Sequence, residues 1–188
     1  MKMNIKIEFF SPWQCSSGLS AGADADSLVI KDSNGLPYIP GKTLKGLVRE
    51  AVEDYVALAD IKFPIEEAFG KNVDGNLNDQ MPQKGKLFFS NATLCKNESE
   101  AIVSKGLVDF LYINRTSTSI ASNGIAKDHS LRTMESTVPC ALYAFVLHVD
   151  EDWADIMEKA LRFIKCIGTA RNRGMGRCRF SVQKGGMA

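Results

Sequence analysis

The chain has 188 residues, 45% of them hydrophobic and 24% charged, with a formal net charge of +1. That excludes a disordered or fibrous protein and a uniformly basic nucleic-acid binder, and it leaves room for one core with insertions. No apolar run approaches the roughly 18 residues of a membrane span, and the first residues alternate with charge instead of opening a signal-peptide core, so a cytoplasmic protein with no membrane partner is expected.

Met3, Ile5, Ile7 and Phe9 alternate with Asn4, Lys6 and Glu8, the period of a half-buried strand. From Ser11 to Ser33 the chain is rich in Ser, Gly, Ala and Asp apart from Leu28-Val29-Ile30, which predicts a long surface loop of the kind that often carries function. Asn34-Gly35 marks a turn. Pro37 and Pro40 then lead into a helix that Thr43 is expected to cap, and Leu44, Leu47, Val48, Ala51, Val52, Tyr55 and Val56 fall three and four apart as one apolar stripe. A short helical segment over Ile65 to Phe69 should end at Gly70, and the polar run from Lys71 to Gln83 predicts an exposed, mobile loop.

Lys86 to Leu94 predicts a strand, Leu107 to Ile113 fits either a strand or a helix, and the Ser- and Thr-rich stretch from Arg115 to Glu135 should project. Ala141 to Val149 predicts a strand in which His148 is buried. Asp150 or Asp152 should cap a helix carrying Trp153, Ile156, Met157, Ala160, Leu161 and Ile164, stopped by Gly168. A last strand runs from about Arg177 to Val182. The order gives an α+β, ferredoxin-like (RRM-like) βαββαβ sandwich, one domain over 1–188 with insertions at about 11–36, 62–84 and 113–138. That superfold hosts many activities, RNA binding among them. The five cysteines, Cys15, Cys95, Cys140, Cys166 and Cys178, fit neither a disulfide framework nor paired zinc spacing and read as reduced thiols.

Charge is asymmetric along the chain. After Glu158 no acid occurs, whereas Lys159, Arg162, Lys165, Arg171, Arg173, Arg177, Arg179 and Lys184 follow. The segment Ile167 to Arg177 lies between a helix and a strand, at the negative end of the helix dipole, so an anion there must be held by arginines and free amides. Gly174 and Gly176 would let the backbone approach a ligand or take positive φ, and the forked donors of Arg171, Arg173 and Arg177 match phosphate oxygens. The competing reading is a tight turn with solvated arginines. A dinucleotide fingerprint is excluded, because that motif follows a strand and has a third glycine.

The stretch from Asp32 through Gly35-Leu36-Pro37-Tyr38-Ile39-Pro40-Gly41-Lys42-Thr43-Leu44-Lys45-Gly46 to Arg49 resembles the signature of the RAMP superfamily of CRISPR-associated proteins. Gly168 to Phe180 is similar to the same superfamily's glycine-rich loop. Ala68-Phe69-Gly70 with Gly85 to Ala92 resembles a third family segment, and Asn114 to Pro139 the segment carrying the thumb in type III backbone subunits. The resemblance implies a subunit that stacks with copies of itself and with other CRISPR effector subunits along a guide RNA (crRNA), gripping its backbone so that the bases remain free to pair with target RNA. It places Gly168, Arg171, Arg173, Gly174, Gly176 and Arg177 on that backbone together with Lys42, Thr43, Lys45 and Arg49, the guanidinium groups facing a groove beside Lys45. It also puts Asp26, or alternatively Asp24, where such subunits cleave target RNA with a divalent metal, so Mg²⁺ is the implied cofactor if the chain is catalytic. A non-catalytic architectural or terminal subunit and a guide-processing endoribonuclease using His129 are the alternatives.

Overall fold

The computed structural model describes residues 1–22, 25–71 and 83–183. Asp24, Lys184 and most of the polar run after Lys71 lie outside the described residues.

The first strand, β1 (Met3–Phe9), has the alternation its sequence predicts, with Met3, Ile5, Ile7 and Phe9 buried. It is followed by α1 (Gly41–Ala59), α2 (Ile65–Phe69), the two-residue ribbons β2 (Gly70–Lys71) and β3 (Gln83–Lys84), and β4 (Phe88–Phe89). Next come α3 (Lys96–Ser104), a 3-10 turn over Val108–Leu111, and the hairpin β5 (Tyr112–Ser117) and β6 (Arg132–Thr137). The chain closes with β7 (Ala141–Leu147), α4 (Glu151–Leu161), a 3-10 turn over Arg171–Arg173 and β8 (Cys178–Gln183).

Four strands make the main sheet, in the order β4-β7-β1-β8 and antiparallel throughout. With α1 joining β1 to β4 and α4 joining β7 to β8, this is the ferredoxin-like βαββαβ arrangement. The stripes of α1 (Leu44, Val48, Ala51, Val52) and α4 (Trp153, Met157, Ala160, Leu161) are buried on one face of the sheet with Ile5, Ile7, Leu142, Ala144, Val146 and Phe180. Each large side chain so buried contributes about 1.5–3 kcal/mol.

Several local expectations are corrected. Thr43 lies inside α1 and is exposed; the Gly41 amide is instead capped by Asn91 Oδ1 at 2.8 Å. β4 is shorter than expected because the Ser90 side chain takes over from the ladder: its Oγ accepts the Phe145 amide at 2.8 Å, while its own amide still reaches the Phe145 carbonyl. The chain then turns, Ala92 pairing with Ile39 before Thr93 rejoins Tyr143. α4 ends at Leu161, so Gly168 does not stop it. His148 is exposed, at φ 62, just past the end of β7, and not in the core.

Candidate nucleic-acid interface

The long loop after β1 is tied down on both sides. Ser16 pairs with Val29, the Ile30 amide reaches Cys15 O at 2.9 Å, and Ser27 bridges Met134 of β6 in parallel. Asp26 is exposed at the end of this strip, its amide donating to Thr133 O at 2.8 Å and its carboxylate Oδ2 accepting the Thr133 amide at 2.7 Å. One carboxylate oxygen is thereby oriented by the hairpin base, and Oδ1 is left without a hydrogen bond among the described residues. Glu135 completes the clamp: Oε2 accepts the Val29 amide at 3.0 Å and Oε1 the Lys31 ammonium at 2.8 Å. Lys31 in turn lies 3.9 Å above the Tyr112 ring. From this base the β5–β6 hairpin projects, as the polar stretch predicts, with residues 113–120 exposed.

The glycine- and arginine-rich loop packs against the same base. The Thr169 amide donates to Gln14 O at 3.0 Å, and the fully buried Gln14 side chain donates to Ser27 Oγ at 2.9 Å. Two of the loop's glycines serve this packing. At Gly168 (φ 89) a Cβ would fall 2.1 Å from Gln14 O, and at buried Gly176 (φ 68) 1.9 Å from Ile167 O. Gly176 is therefore a close-packing residue. Gly174, at φ 78, is exposed with open space around it and follows the turn that presents Arg171 and Arg173. A cavity of about 440 Å³ is lined by Gly168 to Arg173 and by Met134, next to Thr133 and hence to the Asp26 strip. Arg171, Arg173 and Arg177 are exposed and form no ion pair among the described residues.

The residues expected at the start of α1 lie elsewhere. Lys42 and Lys45 line a separate cavity of about 520 Å³ with Lys84, Lys86 and His148. Sequence reading missed the last three as site residues, although Lys84 precedes the quoted segment that begins at Gly85 and Lys86 lies within it. Burial lowers the Lys45 pKa, with Arg49 and Lys84 adding to the effect, as expected of an ammonium among like charges. The loop arginines do not face this cavity. Sheet order explains the separation: α1 begins beside β4, whereas the loop leads into β8 at the opposite edge, three strand spacings or roughly 14 Å away. Arg171 instead borders α1 one turn or more along, near Glu50 and Asp54. Arg49 has an internal role, with Nε on Glu53 at 2.8 Å and a terminal nitrogen on Gly70 O at 3.1 Å. Among the described residues no group of three or more His, Cys, Asp or Glu side chains converges to hold a metal, and no helix is long and apolar enough to cross a membrane.

Among solved structures the chain is similar to one in a type III-B Cmr-beta complex bound to cognate target RNA, with a TM-score of 0.71 and 11% identity over 97% of each chain. It is likewise similar to one in the apo state of Cmr-beta, with a TM-score of 0.71 and 11% identity over 98% of each chain. At that identity the likeness is one of fold. No curated protein matches the sequence. The model of the RAMP superfamily matches residues 6–179, from within β1 into β8, and so takes in the Asp26 strip, the start of α1, the hairpin and the arginine loop: the chain belongs to the RAMP superfamily.

Proposed function

We propose that the protein is a guide-RNA-binding subunit of a type III CRISPR effector complex, assembling with other effector subunits and with copies of itself along the guide. Family membership and a fold shared with chains of Cmr-beta complexes, one of them holding target RNA, support this reading. The observation that carries it is the exposed turn of Arg171 and Arg173, free of ion pairs among the described residues and seated against the base of a projecting hairpin. Unpaired guanidinium groups around a rigid turn suit the sugar-phosphate chain, which is the same for every sequence. Lys42, Lys45 and Lys84 form a second cationic patch for the same backbone.

Target cleavage is the finer part of the proposal and rests on Asp26. Its Oδ2 is fixed by the Thr133 amide, and its Oδ1 has no hydrogen bond among the described residues. A single carboxylate fits Mg²⁺ as one ligand of several, since that ion commonly takes one or two carboxylates with phosphate oxygens and waters. Bound there, the ion would supply charge neutralisation at the scissile phosphate. The residue's own task is to present an oriented carboxylate beside a hairpin able to hold the RNA apart. His129 suits the guide-processing alternative poorly: it is exposed in the hairpin at φ 56 and has no hydrogen-bond partner among the described residues to tune it for acid/base work.

The test is guide binding by the full chain carrying Arg171→Ala with Arg173→Ala. Affinity should fall similarly for unrelated RNA sequences, and the salt slope should drop by about 1.4, the value for two lost contacts to a single strand. A sequence-selective loss would contradict backbone recognition. In the assembled complex, Asp26→Ala should abolish regularly spaced target cuts while leaving guide binding intact; an inactive wild type would favour the architectural alternative.

A further inference from the structure

At the β8 edge of the sheet lies a cavity of about 760 Å³ whose lining includes Phe10, Arg162, Lys165, Arg177 and Arg179 and, among the described residues, no carboxylate. Among the described residues, only Arg162 of its four cations has an acidic partner, Glu158 at 3.1 Å. Phe10 stands just past β1 with 51% of its surface exposed, and the Arg179 guanidinium sits 5.3 Å from the ring centroid. The backbone that carries the ring is pinned, since the Phe10 amide donates to Arg177 O at 2.8 Å and the Arg177 amide to Ser11 Oγ at 2.9 Å. An aromatic left in the open forgoes burial that would stabilise the fold, and it does so among cations. Lys165 also lines the neighbouring cavity, which it shares with Arg171 and Asn172 on one side and with Glu50 and Asp54 of α1 on the other, so Lys165 links the arginine turn to the Phe10 cavity.

We propose that this cavity binds a nucleotide of single-stranded RNA, the base stacked on the Phe10 and Arg179 pair and the adjoining phosphates on Lys165 and Arg177. Every base has a π-face, so the contact is indifferent to sequence, and guanidinium planes accept bases as rings do. The inference rests on the RNA-binding reading above and adds a stacking contact to the phosphate contacts of Arg171 and Arg173. A second copy of the chain is the rival occupant. The lack of a carboxylate among the described lining residues favours a polyanion over it.

The experiment measures binding of the full chain to fluorescent oligouridylate and oligoadenylate. Phe10→Leu keeps the apolar bulk and removes the ring; it should weaken both RNAs about tenfold with the salt slope unchanged, and Phe10→Trp should restore affinity. Arg179→Ala should weaken binding and also lower the slope. In the wild type, ultraviolet cross-linking should attach RNA to the peptide containing Phe10, an outcome independent of how any variant folds. Unchanged affinity in Phe10→Leu, with binding lost in the Arg171 and Arg173 double variant, overturns the stacking site and spares the proposed function. Indifference to both sets overturns both. Self-association that Phe10→Leu abolishes without changing RNA affinity assigns the surface to a second copy and overturns the proposal, as do cross-links confined to the arginine turn.

Discussion

Gly174 and Gly176 look alike in sequence, and the structure predicts that alanine at the two positions has different consequences. Both residues have left-handed φ, 78 and 68, which costs an alanine about 1–2 kcal/mol. At Gly174 nothing lies within 4 Å of the added Cβ, so the backbone term is the whole effect. At Gly176 the Cβ would stand 1.9 Å from Ile167 O, a backbone atom that moves only with its chain. Relieving that overlap breaks the bonds from the Ile167 amide to Gly176 O, 2.9 Å, and from the Gly176 amide to Pro12 O, 2.8 Å, at about 1 kcal/mol each. The total is about 3–4 kcal/mol. With a urea m-value of about 2 kcal/mol per M, the midpoint should fall by about 1.5–2 M for Gly176→Ala and by about 0.5–1 M for Gly174→Ala. Urea denaturation followed by tryptophan fluorescence reads the difference. Equal midpoints, or a larger loss at Gly174, would refute the packing role assigned to Gly176.

Glu135→Ala removes the clamp on the Asp26 strip. Because its partly buried carboxylate accepts both the Val29 amide and the Lys31 ammonium, the loss should be about 1–3 kcal/mol, and hydrogen exchange should speed up over residues 27–31, with Glu135→Gln in between. Unchanged exchange there would remove the clamp from the account. Burial pushes the thiols of Cys15 and Cys140 up to about 11 and that of Cys178 to about 12, whereas unfolded thiols ionise near about 8.5. The unfolded chain then loses these protons first, so the stability they contribute is complete below the unfolded pKa and is lost as pH rises toward the folded values. Tm should fall between about pH 9 and 11, less steeply when the three are replaced by alanine; a flat profile in the wild type would contradict their burial.

What could be read from the sequence was whatever local periodicity or a local breaker encodes. The alternation of β1, the stripes of α1 and α4 and the Gly70 stop after α2 all arise from side chains within one element. α3 was missed because none of its residues is buried, so Lys96–Ser104 carries no apolar stripe to detect. The cap of α1 was misassigned because Asn91 reaches Gly41 across fifty positions of sequence. In the site, arginine chemistry was legible and its location was not. Nothing in the segment from Gly168 to Arg177 says that its neighbour in space is Gln14 and not Lys45. Strand order decides that, and strand order is set by the pairing of β1 with both β7 and β8.

That pairing also determines how the two parts of the proposed function relate. Because β8 lies beside β1, the loop leading into β8 meets the segment leaving β1, and Gln14 touches both the loop, through its carbonyl, and Ser27, through its amide. Ser27 follows Asp26 and bridges Met134, which lines the cavity of the arginine turn. The arginine turn proposed to grip the guide and the orientation of Asp26 therefore share one small packed unit with glycines at its tightest contact. On the proposed reading a displaced loop moves the carboxylate with it, whereas the lysines beside β4 belong to a different edge and hold RNA independently of that geometry. Substitutions at Lys42 and Lys45 should accordingly act on binding alone, and those at the Gln14 contact on binding and cleavage together.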